Sequence, residues 1–158
     1  MNVKIDVIYQ DGEAVAFRNT LLPGKKNVLE FFRAVAFDLE LCFSNADGEP
    51  VSIADVENPG KVQLLLSCRD RVLASVENPG EWSLNERGFQ ILKFTGIVFD
   101  SGDIRNVLAD SYMEIEPNYR GRAECEFSVA VYSSDAPREA VQLFITMNAL
   151  LKDTPVSR

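Results

Sequence analysis

The chain has no histidine among its 158 residues. That absence excludes Ser-His-Asp and Cys-His catalysis. It also removes the commonest zinc ligand and the usual general base near neutral pH. Cysteine is scarce. Cys42, Cys68 and Cys125 lie far apart with no CxxC pair, and an odd count argues against a disulfide framework. No apolar run approaches the ~18 residues that a membrane span needs. The opening Met1-Asn2-Val3-Lys4-Ile5-Asp6 alternates apolar and polar residues and lacks the unbroken apolar stretch of a signal peptide. The expectation is synthesis in the cytoplasm, with incorporation into a virion as a route onward. Basic residues are outnumbered, 16 against 24 acidic, for a net charge of −8. Such a surface repels phosphate backbones and anionic lipid, so neither nucleic acid nor membrane is the expected partner.

What the sequence has is rhythm. Val35, Phe37, Leu39, Leu41 and Phe43 alternate with polar positions that include Asp38 and Glu40. This is the signature of a strand with one buried face. Asp47-Gly48 then reads as a turn leading to Pro50-Val51. Val62, Leu64, Leu66 and Cys68 form another alternating set, but Leu65 interrupts its polar face, so burial on both sides is the expectation; a turn at Arg69-Asp70-Arg71 and a return over Val72 to Val76 follow. Phe89 to Phe99 is a third strand, in which Gly96 marks a bulge or bend. Tyr112 to Glu116 reads as a short strand with Met113 and Ile115 on one face. Ala123, Cys125, Phe127, Val129 and Val131 give the last clear strand. At the N-terminus, Val3, Ile5, Val7 and Tyr9, a turn at Asp11-Gly12, and Ala14 to Phe17 form a hairpin. The stretch Val28 to Val35 fits helix or strand. Val56-Glu57-Asn58-Pro59-Gly60 recurs as Val76-Glu77-Asn78-Pro79-Gly80, two similar turns with glycine where φ must be positive.

Two helices are expected. Asp103 caps a short one with Ile104, Val107 and Leu108 on its apolar side. A second begins at Asp135, with Pro137 in its first turn and Ala140, Val141, Phe144, Met147, Leu150 and Leu151 in a 3.6-residue stripe that Leu143 and Ile145 widen. Seven or eight strands at near-regular spacing give an all-β fold: an Ig-like or jelly-roll-like antiparallel β-sandwich over residues 1–135, with one short internal helix and a C-terminal helix or tail over 136–158. The seam at Pro23-Gly24-Lys25-Lys26 allows residues 1–24 to be an arm.

Candidate chemistry is thin. Asp38 with Glu40, Glu114 with Glu116, and Glu124 with Glu126 place carboxylates two apart on strands, a spacing of ~7 Å that glycosidase pairs can use. Their recurrence reads as an acidic outer surface instead. Asp100, Asp103 and Asp110 near Ser101-Gly102 lack the order of a calcium loop. No catalytic residue, metal ligand or cofactor is assigned. Cys68 and Cys125 fall in phase with apolar neighbours and Cys42 does not. The ligand-binding candidates are Trp82, as an aromatic anchor for a partner or a sugar, and Tyr119, Arg120 and Arg122, a basic-aromatic turn suited to a contact between subunits.

Residues Phe32-Arg33-Ala34, Phe37 to Phe43, Asp47-Gly48, Pro50-Val51, Tyr112 to Ile115 and Phe127 to Val131 resemble the β-sandwich domains near the N-termini of phage tail-fibre and baseplate proteins. The resemblance covers about Phe31 to Asp135. It departs from that family at Ala34, where glycine often follows the arginine. It implies a non-catalytic structural or attachment module, a phage tail or baseplate component working through other protein subunits as a homo-oligomer. A carbohydrate-binding module built on Trp82 and a carboxylate-only hydrolase are the alternative readings.

Overall fold

A computed structural model describes residues 2–10, 13–19, 29–52, 61–114, 121–132 and 141–153. The elements run β1 (Asn2–Gln10), β2 (Glu13–Asn19), β3 (Leu29–Phe32), β4 (Phe37–Ser44), β5 (Lys61–Cys68), β6 (Arg71–Glu77), β7 (Glu81–Leu84), β8 (Gln90–Ile97), α1 (Gly102–Glu114), β9 (Arg122–Tyr132) and β10 (Val141–Lys152). They form two five-stranded sheets, ordered β2-β1-β4-β8-β7 and β3-β10-β9-β5-β6, packed as a sandwich with one short helix.

Alternation builds the core. In β4, Phe37, Leu39, Leu41 and Phe43 are buried while the residues between them are half-exposed. Val62, Leu64 and Leu66 of β5 and Phe127, Val129 and Val131 of β9 face them from the second sheet. Phe31 lies at the centre of one end of this core. Its ring is 4.7 Å from Phe37, 5.8 Å from Phe99 and 5.2 Å from Phe127 between centroids. Phe31 and Phe127 belong to the second sheet, Phe37 to the first, and Phe99 to the segment after β8, so the cluster holds the layers together. Full burial is worth ~1.5–3 kcal/mol per ring and each ring pair ~0.5–1.5 kcal/mol more.

The same end carries a tight crossing from β3 to β4. Arg33 N–H donates to Lys152 O at 2.9 Å, and Ala34 N–H to Phe99 O at 3.0 Å. The Arg33 guanidinium donates to Asp153 Oδ1 at 3.1 Å and lies 3.8 Å from Asp100. Ala34 is in the left-handed region at φ 61°. The position therefore demands what glycine supplies at no steric cost. The departure from glycine noted in the sequence is thus a point of stored strain.

Four expectations are corrected. Residues 141–152 form a strand, not a C-terminal helix. Ile145, Met147, Ala149 and Leu151 are buried, while the alternate positions are exposed at Phe144 and Asn148 and half-buried at Thr146 and Leu150. The spacing of Val141, Phe144, Met147 and Leu151 satisfies a helical period by coincidence, and pairing with β9 along the whole length decides the outcome. Second, the sheets are mixed rather than antiparallel: β1 pairs parallel with β4, and β3 parallel with β10. Third, the N-terminal hairpin is no arm. β1 lies between β2 and β4, and its Val3, Ile5 and Val7 belong to the core. Fourth, Tyr112 to Glu114 continue α1 instead of forming a strand, which removes one element of the phage-domain resemblance. Ser101 also replaces Asp103 as the cap, its Oγ accepting the Ile104 N–H at 3.0 Å and donating to Leu73 O at 2.7 Å.

Other expectations hold. Leu29–Phe32 resolves as a strand. Gly96 sits at a register shift between β4 and β8, at φ 66°. Asn78 Oδ1 accepts the Gly80 N–H at 2.9 Å in the second Asn-Pro-Gly turn. The first copy, the Pro23 seam and the Asp11-Gly12 turn lie outside the described residues.

Two substitutions test this frame in urea unfolding. Phe31→Ala is expected to cost ~3–5 kcal/mol. Ala34→Gly is expected to stabilise by ~0.5–1 kcal/mol, since relief of left-handed strain outweighs the added freedom of the unfolded chain.

Candidate functional site

The outer face of the first sheet carries a row of alternating charge. Lys4 of β1 pairs in register with Glu40 of β4, Glu40 with Lys93 of β8, and Lys93 with Glu81 of β7. The Lys4 Nζ lies 3.8 Å from Glu40 Oε2. Beside this row, Asp38 Oδ1 accepts the Gly96 N–H at 2.9 Å and so pins the bulge. The proposed carboxylate pair is thereby engaged in holding the sheet, one member on a backbone amide and the other on a lysine. Glu124 and Glu126 are exposed on β9. The side chains of Glu114 and Asp110 and all of Glu116 lie outside the described residues. Among the described residues no three metal-ligating side chains converge.

At one end of this face two loops rise as near copies of each other. Asn45 Oδ1 accepts the N–H groups of Asp47 and Glu49, both at 2.9 Å. Asn85 Oδ1 accepts those of Arg87 and Phe89, at 2.9 and 3.0 Å. In each loop the glycine three residues on, Gly48 or Gly88, has positive φ and donates back to the asparagine carbonyl. This is a type I turn closed by a glycine bulge. Between the loops lies an open trough of about 580 Å³, with Asp6, Cys42 and Ser44 on the strands and Asn45, Arg87 and Phe89 from the loops. Sequence reading caught Asp47-Gly48 but not the shared Asn-x-x-Gly spacing that would have found both loops.

No activated nucleophile sits in the trough. Burial, then the neighbouring carboxylates of Asp6 and Glu40, push the Cys42 thiol up, so it stays protonated and weakly nucleophilic near neutral pH. Cys125 is buried on the inward face of β9, and burial and the adjacent Cys68 thiol raise it from 9.0 to about 12.

The sequence candidates are not gathered in one place. Trp82 lies in β7, an edge strand. It pairs with Leu92, whose side chain is fully buried, so both are on the inward side of the sheet. Even so, Trp82 is 37% exposed and Leu84, next along that side, 57%. β7 thus presents an uncovered apolar strip beside a strand edge that, among the described residues, pairs with nothing. Arg122 begins β9 in the second sheet and is exposed, opposite Lys152 of β10. Tyr119 and Arg120 lie outside the described residues.

No family model matches the chain, and no curated protein matches it. Among solved structures it is distantly similar to the N-terminal domain of phage TP901-1 ORF48, at 15% identity over 96% of this chain and 98% of that one, with a TM-score of 0.43. Reduced rusticyanin aligns at 10% identity over 96% of this chain and 79% of its own, TM-score 0.36. The PixA inclusion body protein of Burkholderia cenocepacia J2315 aligns at 12% identity over 98% and 96%, TM-score 0.34.

The raised Cys125 thiol gives a signed pH dependence. The folded chain holds that proton up to about pH 12, while the unperturbed thiol releases it from about pH 9.0. The contribution is therefore complete below the unfolded value and is lost as pH rises toward the folded one. Urea titrations from pH 8 to 10.5 should show the stability gap between wild type and Cys125→Ala narrowing by about 1 kcal/mol per pH unit above pH 9.

Proposed function

We propose that this domain is a non-catalytic assembly module that docks with further protein subunits, its own copies first, through the open edge at β7. The observation that carries this reading is a strand edge with no partner among the described residues, with Trp82 and Leu84 exposed beside it. Soluble proteins blunt such edges with lysine, proline or a bulge. Here Glu81 is the one charged residue among the four of β7. A strand added at this edge would satisfy backbone groups and cover the apolar strip in one step. The engagement of Asp38 and Glu40 in the sheet and the protonated state of Cys42 support a role without turnover. The resemblance of residues 31–135 to tail-fibre and baseplate domains supplies the class of assembly, a phage tail or related particle. Exposed tryptophan is also what a sugar ring stacks on, so carbohydrate remains the second ligand class for Trp82.

Sedimentation velocity over 1–100 μM tests the edge. Wild type is expected to associate reversibly, and the Trp82→Lys, Leu84→Lys double variant to remain monomeric with an unchanged circular dichroism spectrum. A wild type that is monomeric throughout would remove self-assembly. A glycan array comparing wild type with Trp82→Ala would separate the second class, since only sugar recognition produces a tryptophan-dependent signal there.

A further inference from the structure

β5 and β9 run antiparallel with Lys61 opposite Tyr132, Leu66 opposite Phe127 and Ser67 opposite Glu126. One step further along this register, Cys68 stands opposite Cys125. Both share the inward phase of Leu64, Leu66 and Phe127. The Cys68 thiol is close enough to help raise that of Cys125, and Cys68 Sγ donates to Glu124 O, the carbonyl of the residue before Cys125, at 3.3 Å. Directly opposed residues of an antiparallel pair have Cα atoms ~4.5–5.5 Å apart, within the span a disulfide bridges. Cys125 is buried and Cys68, at the strand end, is half-exposed. The next two residues, Arg69 and Asp70, hold left-handed φ values of 51° and 63°, so Cys68 borders a strained two-residue turn.

We propose that Cys68 and Cys125 form a dithiol site that a low-molecular-weight disulfide of the glutathione type converts into a cross-strand disulfide. The Cys68 thiolate attacks one sulfur of the oxidant. The oxidant's S–S bond breaks, one thiolate leaves, and a mixed disulfide remains on Cys68. The Cys125 thiolate then attacks the Cys68 sulfur and expels the second small thiolate. The two cysteine protons end on the two released thiols. The protein pair loses two electrons and the oxidant gains them. Exposure makes Cys68 the entry point, and burial makes Cys125 the resolving thiol. Its scarce thiolate makes resolution the slow step. Cys42 takes no part, because it lies on the outer face of the other sheet, and packed sheets stand ~10 Å apart.

The full-length chain, reduced and then incubated with glutathione disulfide, is followed by intact mass and peptide mapping after acid quench. Wild type is expected to pass through a single glutathionyl adduct on Cys68 and then lose it, leaving a Cys68–Cys125 linked peptide, with closure about tenfold faster per pH unit between pH 7 and 9. The thermal midpoint should rise by about 5–10 °C and fall back on adding dithiothreitol. Cys125→Ala should stop at the adduct. A wild type that stays at the adduct at pH 9, or links through Cys42 or between chains, overturns the proposal without reference to any variant's folding.

Discussion

The structure depends on the contact between the inward faces of two sheets, concentrated where Phe31 meets Phe37, Phe99 and Phe127. Neither sheet could stand alone, because each presents a continuous apolar face that water would not tolerate. The cluster also explains the crossing beside it. Phe31 must lie in one sheet and Phe37 in the other, with only Phe32 to Ala36 to change layers. That brevity forces Ala34 into a left-handed conformation and recruits Arg33 to tie the corner to the end of β10. Packing here overrules local backbone preference, at a cost of ~1–2 kcal/mol that core burial easily offsets.

Much of this was legible in the chain. Strands whose burial alternates, such as β4 and β5, announce themselves by period two, and so did the in-phase positions of Cys68 and Cys125. The failures have physical causes. β10 is paired on both sides and keeps apolar residues on both faces, including Phe144 and Leu150, so its alternation is blurred and a helical stripe can be drawn through it. The end of α1 misled in the opposite way, because Met113 and Ile115 alternate by chance. Parallel pairing of β1 with β4 and of β3 with β10 is set by contacts distant in sequence, which no local rhythm encodes. The candidate site was less legible still. Trp82 was picked out as an aromatic anchor, but its place on an edge strand follows from which strand ends the sheet.

The two outer faces have different characters. On the first sheet, the Lys4, Glu40, Lys93 and Glu81 row balances charge strand by strand, which supports register where both signs meet. On the second, Ser128 and Thr146 share a hydrogen bond at 3.0 Å, and the Tyr132 hydroxyl donates to Gln63 at 3.1 Å. Polar side chains there satisfy one another across strands, leaving Phe144 exposed among them. The uncharged stretch of β7 stands out against this care.

The placement of β10 has a consequence for synthesis. Among the described residues β3 has no strand neighbour except β10, and β9 pairs with β10 along one side. A nascent chain therefore emerges from the ribosome with β3 unpartnered and half the hydrophobic layer open until residues 141–152 clear the exit tunnel. Closure of the second sheet is a late event, and until it happens chaperones would meet a long, sticky intermediate rather than a nearly finished fold.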